Sequence, residues 1–427
     1  MEIQSNNIVN FFDFSTMCNL KNIKIISNKI IFNDNKLGLL FKEKLEKLTF
    51  SNVLDINQYL LPSIFLQLKN LKYLQIYVDN YYRSHWVLDL FSKENFQVES
   101  LETLNISTSL SLEIIYHRLI LFFPNLKNLI LDLNERISYY RIMEEKNYQL
   151  SDFNFPPSLR SLKITLKKLE NQKFLNGLDN LEYLSINKSD YNFEFLKRLK
   201  KLKYFQTDVD QLEENEEKTI DFSENKNLRF LSLFKFAKSV DDRTVQSISS
   251  LSFLNYLSLD GCSEIKDISP LSKLPNLTYL NTENIAFQKV FDSFHSLIKW
   301  DTTCASSVFN EIKDLNSFPN LTCLNVNRDQ KLSEKAFQNI FSLPNISEIN
   351  LYMCNFNENY LKLVVFSSKL KKFELNKSEE MRAKKYFFFN IIFYFLFLLI
   401  EYYFFFFFRF TSKDNKFSLQ MKLTLKY

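Results

Sequence analysis

The stretch Leu251–Asn281, LSFLNYLSLDGCSEIKDISPLSKLPNLTYLN, decides how the whole chain reads. Leu251, Leu254, Leu257 and Leu259 stand in the order L-x-x-L-x-x-L-x-L, and Leu274, Leu277, Leu280 and Thr282 repeat that order one unit later. The last two positions lie two residues apart, the period of a strand, so both side chains point to one side of an extended segment. The leucine three residues earlier turns inward from the loop that leads into the strand. One such unit cannot enclose a core, because its apolar side stays open. Stacking units side by side closes it, with one short parallel strand per unit.

Working outward, the pattern centres on Ile23, Leu48, Leu74, Leu104, Leu129, Leu162, Leu184, Phe205, Leu231, Leu257, Leu280, Trp300, Leu324, Ile349 and Phe373. These fifteen centres span 350 residues, a mean step of 25 with single steps of 20 to 33, so loops vary while strands recur. The best copies are Leu68–Ile76, Leu178–Ile186, Leu251–Leu259 and Leu274–Asn281; the weakest lie around Trp300 and at the two ends. Pro124-Asn125-Leu126, Pro275-Asn276-Leu277, Pro319-Asn320-Leu321 and Pro344-Asn345-Ile346 fall at one phase, with Phe155-Pro156-Pro157-Ser158-Leu159 as a variant. Proline stiffens the loop there and is not asked for a ladder donor.

This pattern resembles the leucine-rich repeat over roughly residues 15–378, which implies an α/β solenoid, curved and irregular, with parallel strands on a concave face. The family prefers Asn or Cys three residues after the last strand leucine, bonded to loop backbone. Asn28, Asn134, Cys262 and Cys354 match, while Asp79, Ser109, Lys167, Phe236 and Ile285 depart from it. Leu257-Ser258-Leu259-Asp260-Gly261-Cys262 and Leu351-Tyr352-Met353-Cys354-Asn355 look like the cysteine-containing class, which is frequent in F-box receptors of cullin-type ubiquitin ligases. Nothing in residues 1–45 reads as an F-box. Asp241–Leu251 and Leu332–Leu343 have helix-like apolar spacing, and the charged run Glu213–Lys218 reads as a solvated loop.

Composition removes several functions. Three glycines, Gly38, Gly177 and Gly261, leave no phosphate-cradling loop. The formal charge of +5 over 427 residues gives no nucleic-acid footprint. Cys18, Cys262, Cys304, Cys323 and Cys354 include no C-x-x-C, so neither a zinc site nor a disulfide framework is expected, and buried thiols in a reducing compartment fit. The N-terminus lacks the pattern of a secretory signal, which points to a cytoplasmic protein. Triplets such as Asn276-Leu277-Thr278 and Asn320-Leu321-Thr322 are then chance matches to the glycosylation motif.

Beyond Asn376 the character changes, and residues 379–427 read as a tail appended to the repeat domain of residues 1–378. Within it, residues 386–408 (YFFFNIIFYFLFLLIEYYFFFFF) form twenty-three nearly all-apolar positions, flanked by Lys384, Lys385 and Arg409. That length suffices for a membrane-spanning helix and suggests a tail anchor. Against it stand Glu401, inside the span, and a Phe- and Tyr-dominated composition that translated AT-rich non-coding sequence would also give.

His85, His117 and His295 stand far apart with no partner motif, and the acids are scattered, so no enzyme, metal site or cofactor is expected. The residue before each strand centre is more telling. It is aromatic in five successive repeats, Tyr183, Tyr204, Phe230, Tyr256 and Tyr279, with Tyr73 earlier. Stacked strands would gather these rings into a column beside a small polar one of Ser185, Gln206, Ser232, Ser258 and Asn281. Aromatic anchors beside adaptable polar groups suit a protein interface, although a ring ladder also stabilises its own sheet. The sequence therefore reads as a non-catalytic scaffold binding a partner protein on the concave face. A ubiquitin-ligase substrate receptor and a tail-anchored membrane adaptor are the alternatives.

Overall fold

The computed structural model describes residues 1–10, 19–31, 44–53, 55–56, 65–78, 97–108, 119–132, 155–169, 175–189, 193–208, 219–235, 240–287, 293–312, 314–329, 332–354, 369–376, 407–413 and 416–422. The chain forms two compact units, Met1–Glu213 and Glu214–Tyr427. The first holds β1 (Glu2–Asn10), β2 (Asn22–Ile31), β3 (Lys47–Ser51), β4 (Asp55–Ile56), β5 (Tyr73–Val78), β6 (Thr103–Thr108), β7 (Asn128–Asp132), β8 (Ser161–Leu169), β9 (Tyr183–Ser189) and β10 (Tyr204–Asp208). The second holds β11 (Phe230–Phe234), β12 (Tyr256–Ser258), β13 (Tyr279–Thr282), β14 (Lys299–Thr302), β15 (Cys323–Asn327), β16 (Glu348–Tyr352) and β17 (Lys372–Asn376), then β18 (Phe407–Lys413) and β19 (Lys416–Lys422).

Strands from successive repeats pair in parallel. In the first unit one register row runs Ile23, Leu48, Leu74, Leu104, Leu129, Leu162, Leu184, Phe205. In the second it runs Leu231, Leu257, Leu280, Trp300, Leu324, Ile349, Phe373. All fifteen expected centres thus occupy equivalent positions, and all are buried. Four further strands, β1, β4, β18 and β19, lay outside the sequence pattern. The edge strand β1 pairs with β2 ahead of the first expected repeat, and β19 pairs antiparallel with both β17 and β18.

Within each unit, successive repeats are tied by the same bonds. The carbonyl that leads into a strand accepts two N–H groups from the next repeat, as Glu46 O does from Lys72 and Tyr73 and Asn255 O from Thr278 and Tyr279. Asparagine in the Pro-Asn-Leu motif has the same purpose. Asn125, Asn276, Asn320 and Asn345 donate to the carbonyls of Glu99, Ser252, His295 and Pro319, each in the preceding repeat. Where serine holds that place, Ser100, Ser158 and Ser296 bond to Leu71, Leu126 and Leu277. Each of these bonds gives a loop carbonyl a side-chain donor from the next repeat.

The strand exit has its own rule. Asn52, Lys235, Gly261, Asn284, Arg328 and Met353 each lie four residues after a row centre, and each has a φ between +53° and +76°. The N–H groups of Asn52, Lys235, Gly261 and Arg328 thereby reach the carbonyls of Tyr77, Asp260, Glu283 and Tyr352 one repeat on. Glycine adopts this conformation without strain, whereas a side chain there costs about 1–2 kcal/mol. Only one of these six turns uses glycine. A Cβ on Gly261 would also meet Lys235 Cα at 3.2 Å.

Both expected helical segments are present, as α1 (Asp242–Ile248) and α2 (Glu334–Ser342). Asp241 caps α1 by accepting from the N–H groups of Arg243 and Thr244, and Ser333 caps α2 through the Ala336 N–H. Burial opposes ionisation of Asp241, but the Arg243 guanidinium and these N–H bonds outweigh it and hold the carboxyl low. Residues 386–406 of the expected membrane segment and the run Glu213–Lys218 lie outside the described residues, while Phe407 and Phe408 belong to β18. Among the described residues no helix is long and apolar enough to cross a membrane.

Candidate protein-binding surface

Strand alternation turns the row centres to the core and their neighbours to the open face of the sheet. The six expected aromatic residues all occupy this face and all are half-buried. In the first unit Tyr183 and Tyr204 are register partners, and their rings stack at 4.1 Å and 14°. In the second, Phe230, Tyr256 and Tyr279 form a triple stack with spacings of 4.0 and 4.3 Å and interplanar angles of 9° and 8°. Tyr73 does not join them, because Thr103, Asn128 and Ser161 stand between it and Tyr183 in the register. Its ring lies instead under Lys47 Nζ, 4.2 Å from the centroid, and its hydroxyl donates to Gln75.

Beyond the triple stack runs a polar line that the aromatic pattern alone did not show. The Tyr279 hydroxyl donates to Asp301 Oδ2, Asn325 Nδ2 donates to Asp301 Oδ1, and the Asn350 amide meets that of Asn325. Asp301 is only 8% exposed. Burial, and next the hydrogen bond to this carboxylate, push the Tyr279 hydroxyl far above the ordinary tyrosine range. Burial also raises Tyr256, with its bond to Tyr279 opposing and the Asp301 charge adding. Lys299 borders the line, 5.2 Å from the Tyr279 ring centroid and 3.9 Å from Asp301. Continuing the small polar column past Asn281 by register would have named Asp301, Asn325 and Asn350.

One row further along the strands, Asp260 accepts from Asn284 at 2.7 Å and Glu283 from Asn327 at 3.3 Å. Glu283 titrates above the usual carboxylate range. Burial is the main cause, the charges of Asp260 and Asp301 add to it, and Asn327 and Arg328 oppose it. The first unit handles charge differently. At the lead-in positions Lys21 pairs with Glu46 at 3.0 Å, Lys127 with Glu102 at 3.0 Å, and Lys203 with Glu182 at 2.6 Å. Hydrogen bonds from Lys21 and Lys203 hold Glu46 and Glu182 below the usual range.

Among the described residues no three His, Cys, Asp or Glu side chains are grouped to hold a metal. His295 is exposed, 3.1 Å from Ser293; His85 and His117 lie outside the described residues. The cysteines serve the repeat. Cys262 Sγ and Cys354 Sγ donate to the carbonyls of Leu233 and Val326, one repeat back. Burial pushes the Cys354 thiol up to about 12 and also raises Cys304 and Cys323, so these three are not poised as nucleophiles, while Cys18 lies outside the described residues.

One short parallel strand per repeat, a buried leucine row and Asn, Ser or Cys bonds back to the preceding repeat define a leucine-rich-repeat solenoid, an α/β architecture. Solved structures of that class are similar to this chain. An internalin from Listeria monocytogenes is 17% identical, with a TM-score of 0.46 over 72% of this chain and 81% of its own. A leucine-rich-repeat protein from Leptospira interrogans is 18% identical, with a TM-score of 0.45 over 82% and 89%. The complex of Rad7 and Elc1 from yeast gives 17% identity and a TM-score of 0.43 over 82% and 85%. No protein-family model matches the sequence, and no curated protein does.

Proposed function

We propose that this chain is a non-catalytic scaffold that holds a partner protein on the open face of its repeats. The anchors are Phe230, Tyr256 and Tyr279 in the second unit and Tyr73, Tyr183 and Tyr204 in the first. The observation that carries this reading is the triple stack. Three half-buried rings, aligned at 4.0–4.3 Å on the solvent side of a sheet, form a rigid amphipathic ridge. Such rings offer contact area at little conformational cost, which is why interfaces concentrate binding energy on them. Solenoids in general bind partners on this kind of extended surface. In this reading the repeat domain of residues 1–378 carries the whole surface.

The test must separate lost binding from lost stability, because stacked rings also support the sheet. The double variant Tyr204→Ala/Tyr256→Ala is compared with Val245→Ala, which removes buried volume in α1 away from the face. Each tagged full-length chain is expressed in its native cell, and the captured proteins and the melting temperature are measured. The double variant should lose partners that Val245→Ala keeps at a comparable melting temperature. Equal capture by both would assign the rings a structural role alone.

A further inference from the structure

The outward rows of the two units differ in charge, and that difference says what the second unit's face takes. Across β11–β17 and the turns that follow them, the outward positions carry Asp260, Glu283, Asp301, Glu348 and Glu374 against Lys299 and Lys372. The two lysines are already committed, Lys299 beside Asp301 at 3.9 Å and Lys372 to Glu374 at 3.1 Å. Asp260 and Glu283 are bonded to neutral amides, those of Asn284 and Asn327. At the rim, Arg328 acts on Glu283 through space, and Lys235 Nζ lies 4.9 Å from the Phe234 ring centroid. The equivalent rows of the first unit carry Lys24, Lys47 and Lys163 against Glu2, Asp132 and Asp208, with Glu2 the register partner of Lys24. Among the described outward rows, acids therefore outnumber bases in the second unit alone, in the row of the triple stack and the two rows beyond it.

Asp260 and Glu283 lie two outward rows along the strands from Tyr256 and Tyr279, repel one another and accept hydrogen bonds from amides, which bring no charge to offset them. Carboxylates accept a guanidinium through two parallel hydrogen bonds, and the aliphatic stem of arginine packs on aromatic surface. Burial and its acidic neighbours disfavour the charged form of Glu283, so an incoming cation would relieve a cost already present in the free protein. We propose that the open face of the second unit binds an arginine-bearing segment of its partner protein, with guanidinium groups at Asp260 and Glu283 and stems along Tyr256 and Tyr279. This rests on the scaffold reading and narrows it to basic partners.

The test uses the full chain and two labelled nine-residue Gly/Ser peptides, one with three arginines and one with three glutamates, measured by fluorescence anisotropy. The arginine peptide should bind, weaken as salt is raised and lose about tenfold or more in affinity to Asp260→Asn/Glu283→Gln. The glutamate peptide should not bind. These substitutions keep side-chain shape, and a melting temperature no lower than that of the unsubstituted chain confirms the fold. An arginine peptide that ignores the double substitution, or a glutamate peptide that binds as well, overturns the proposal. Capture of cellular partners by the same variant separates the two readings. Partners lost with Tyr204→Ala/Tyr256→Ala but kept with Asp260→Asn/Glu283→Gln would leave the scaffold standing without the basic ligand. Partners kept by both, with no peptide bound, would remove the scaffold reading too.

Discussion

The two units share one repeat and use it differently. In the first, charge sits at the lead-in positions and is neutralised on the spot, Lys21 with Glu46, Lys127 with Glu102 and Lys203 with Glu182. In the second, those positions are mostly uncharged, Asn255, Thr278, Ile298, Thr322 and Ser347, and charge moves onto the sheet face beside three stacked rings. Exposed ion pairs add little stability, so the first pattern mainly keeps a surface soluble and self-satisfied. The second carries a ridge of rings and, in the described outward rows, more carboxylates than cations. A common backbone rule thus fixes where side chains point, while row content decides how charge is spread over a face.

The largest expected effect is structural and falls in the second unit. Trp300 occupies a row centre where other repeats have leucine. It is fully buried, donates to Thr282 at 3.0 Å and packs against Phe287, Phe309 and Phe318. Trp300→Ala should cost about 3–5 kcal/mol in denaturant unfolding. A loss near that of an exposed substitution would mean that this repeat is not part of the core. Next come the rings. Tyr256 is stacked between Phe230 and Tyr279, so Tyr256→Ala should cost about 0.5–1.5 kcal/mol per ring pair beyond the buried area it removes. A cost no larger than the area term would show that the stacks add nothing of their own.

How much of this was legible in the sequence follows from what sets each feature. The leucine rows and both helices were, because burial imposes a period that counting recovers. The Pro-Asn-Leu phase was visible as a pattern, but its cause, an asparagine donating to the preceding repeat, needs two loops in space at once. The repeat around Trp300 read as weak because an aromatic cluster replaces leucine there. The left-handed turns were hidden because Lys235, Arg328 and Met353 stand where glycine would announce them. On the face, spacing gave the rings and grouped Tyr183 to Tyr279 as one column. Within the units the structure stacks Tyr183 on Tyr204, and Tyr256 between Phe230 and Tyr279, with Tyr73 apart. Strand β1 carries no leucine pattern, and β19 pairs antiparallel, outside the repeat's logic.

Those hidden turns supply a smaller, stabilising test. Lys235→Gly and Met353→Gly should each stabilise by up to about 1 kcal/mol, because glycine relieves the positive φ and gives back part of the gain as chain entropy. Destabilisation on unfolding would show that those side chains contribute more than their strain costs. The smallest effect lies in pH. Glu283 titrates higher in the folded chain than unfolded, so its contribution is full below the ordinary carboxylate pKa and is lost as pH rises through the raised value. Glu182 titrates lower, so its contribution is present above the ordinary value and is lost as pH falls through the lowered one. In melting temperatures from pH 3 to 7, Glu283→Gln should flatten the loss on the rising side. Glu182→Gln should flatten the loss on the falling side, more weakly because the pair is exposed.

The contrast between the faces is tested most directly by photo-crosslinking from matched tyrosines. Tyr77 in β5 and Tyr352 in β16 occupy the same outward row of the two units, and Tyr352, 39% exposed, is the register partner of Asn327, which holds Glu283. Each is replaced in turn by benzoylphenylalanine in the full-length chain, and the native cell is irradiated. The account predicts a crosslinked partner at Tyr352, joined through a basic segment, and little or none at Tyr77. Crosslinking at Tyr77 with none at Tyr352 would contradict it.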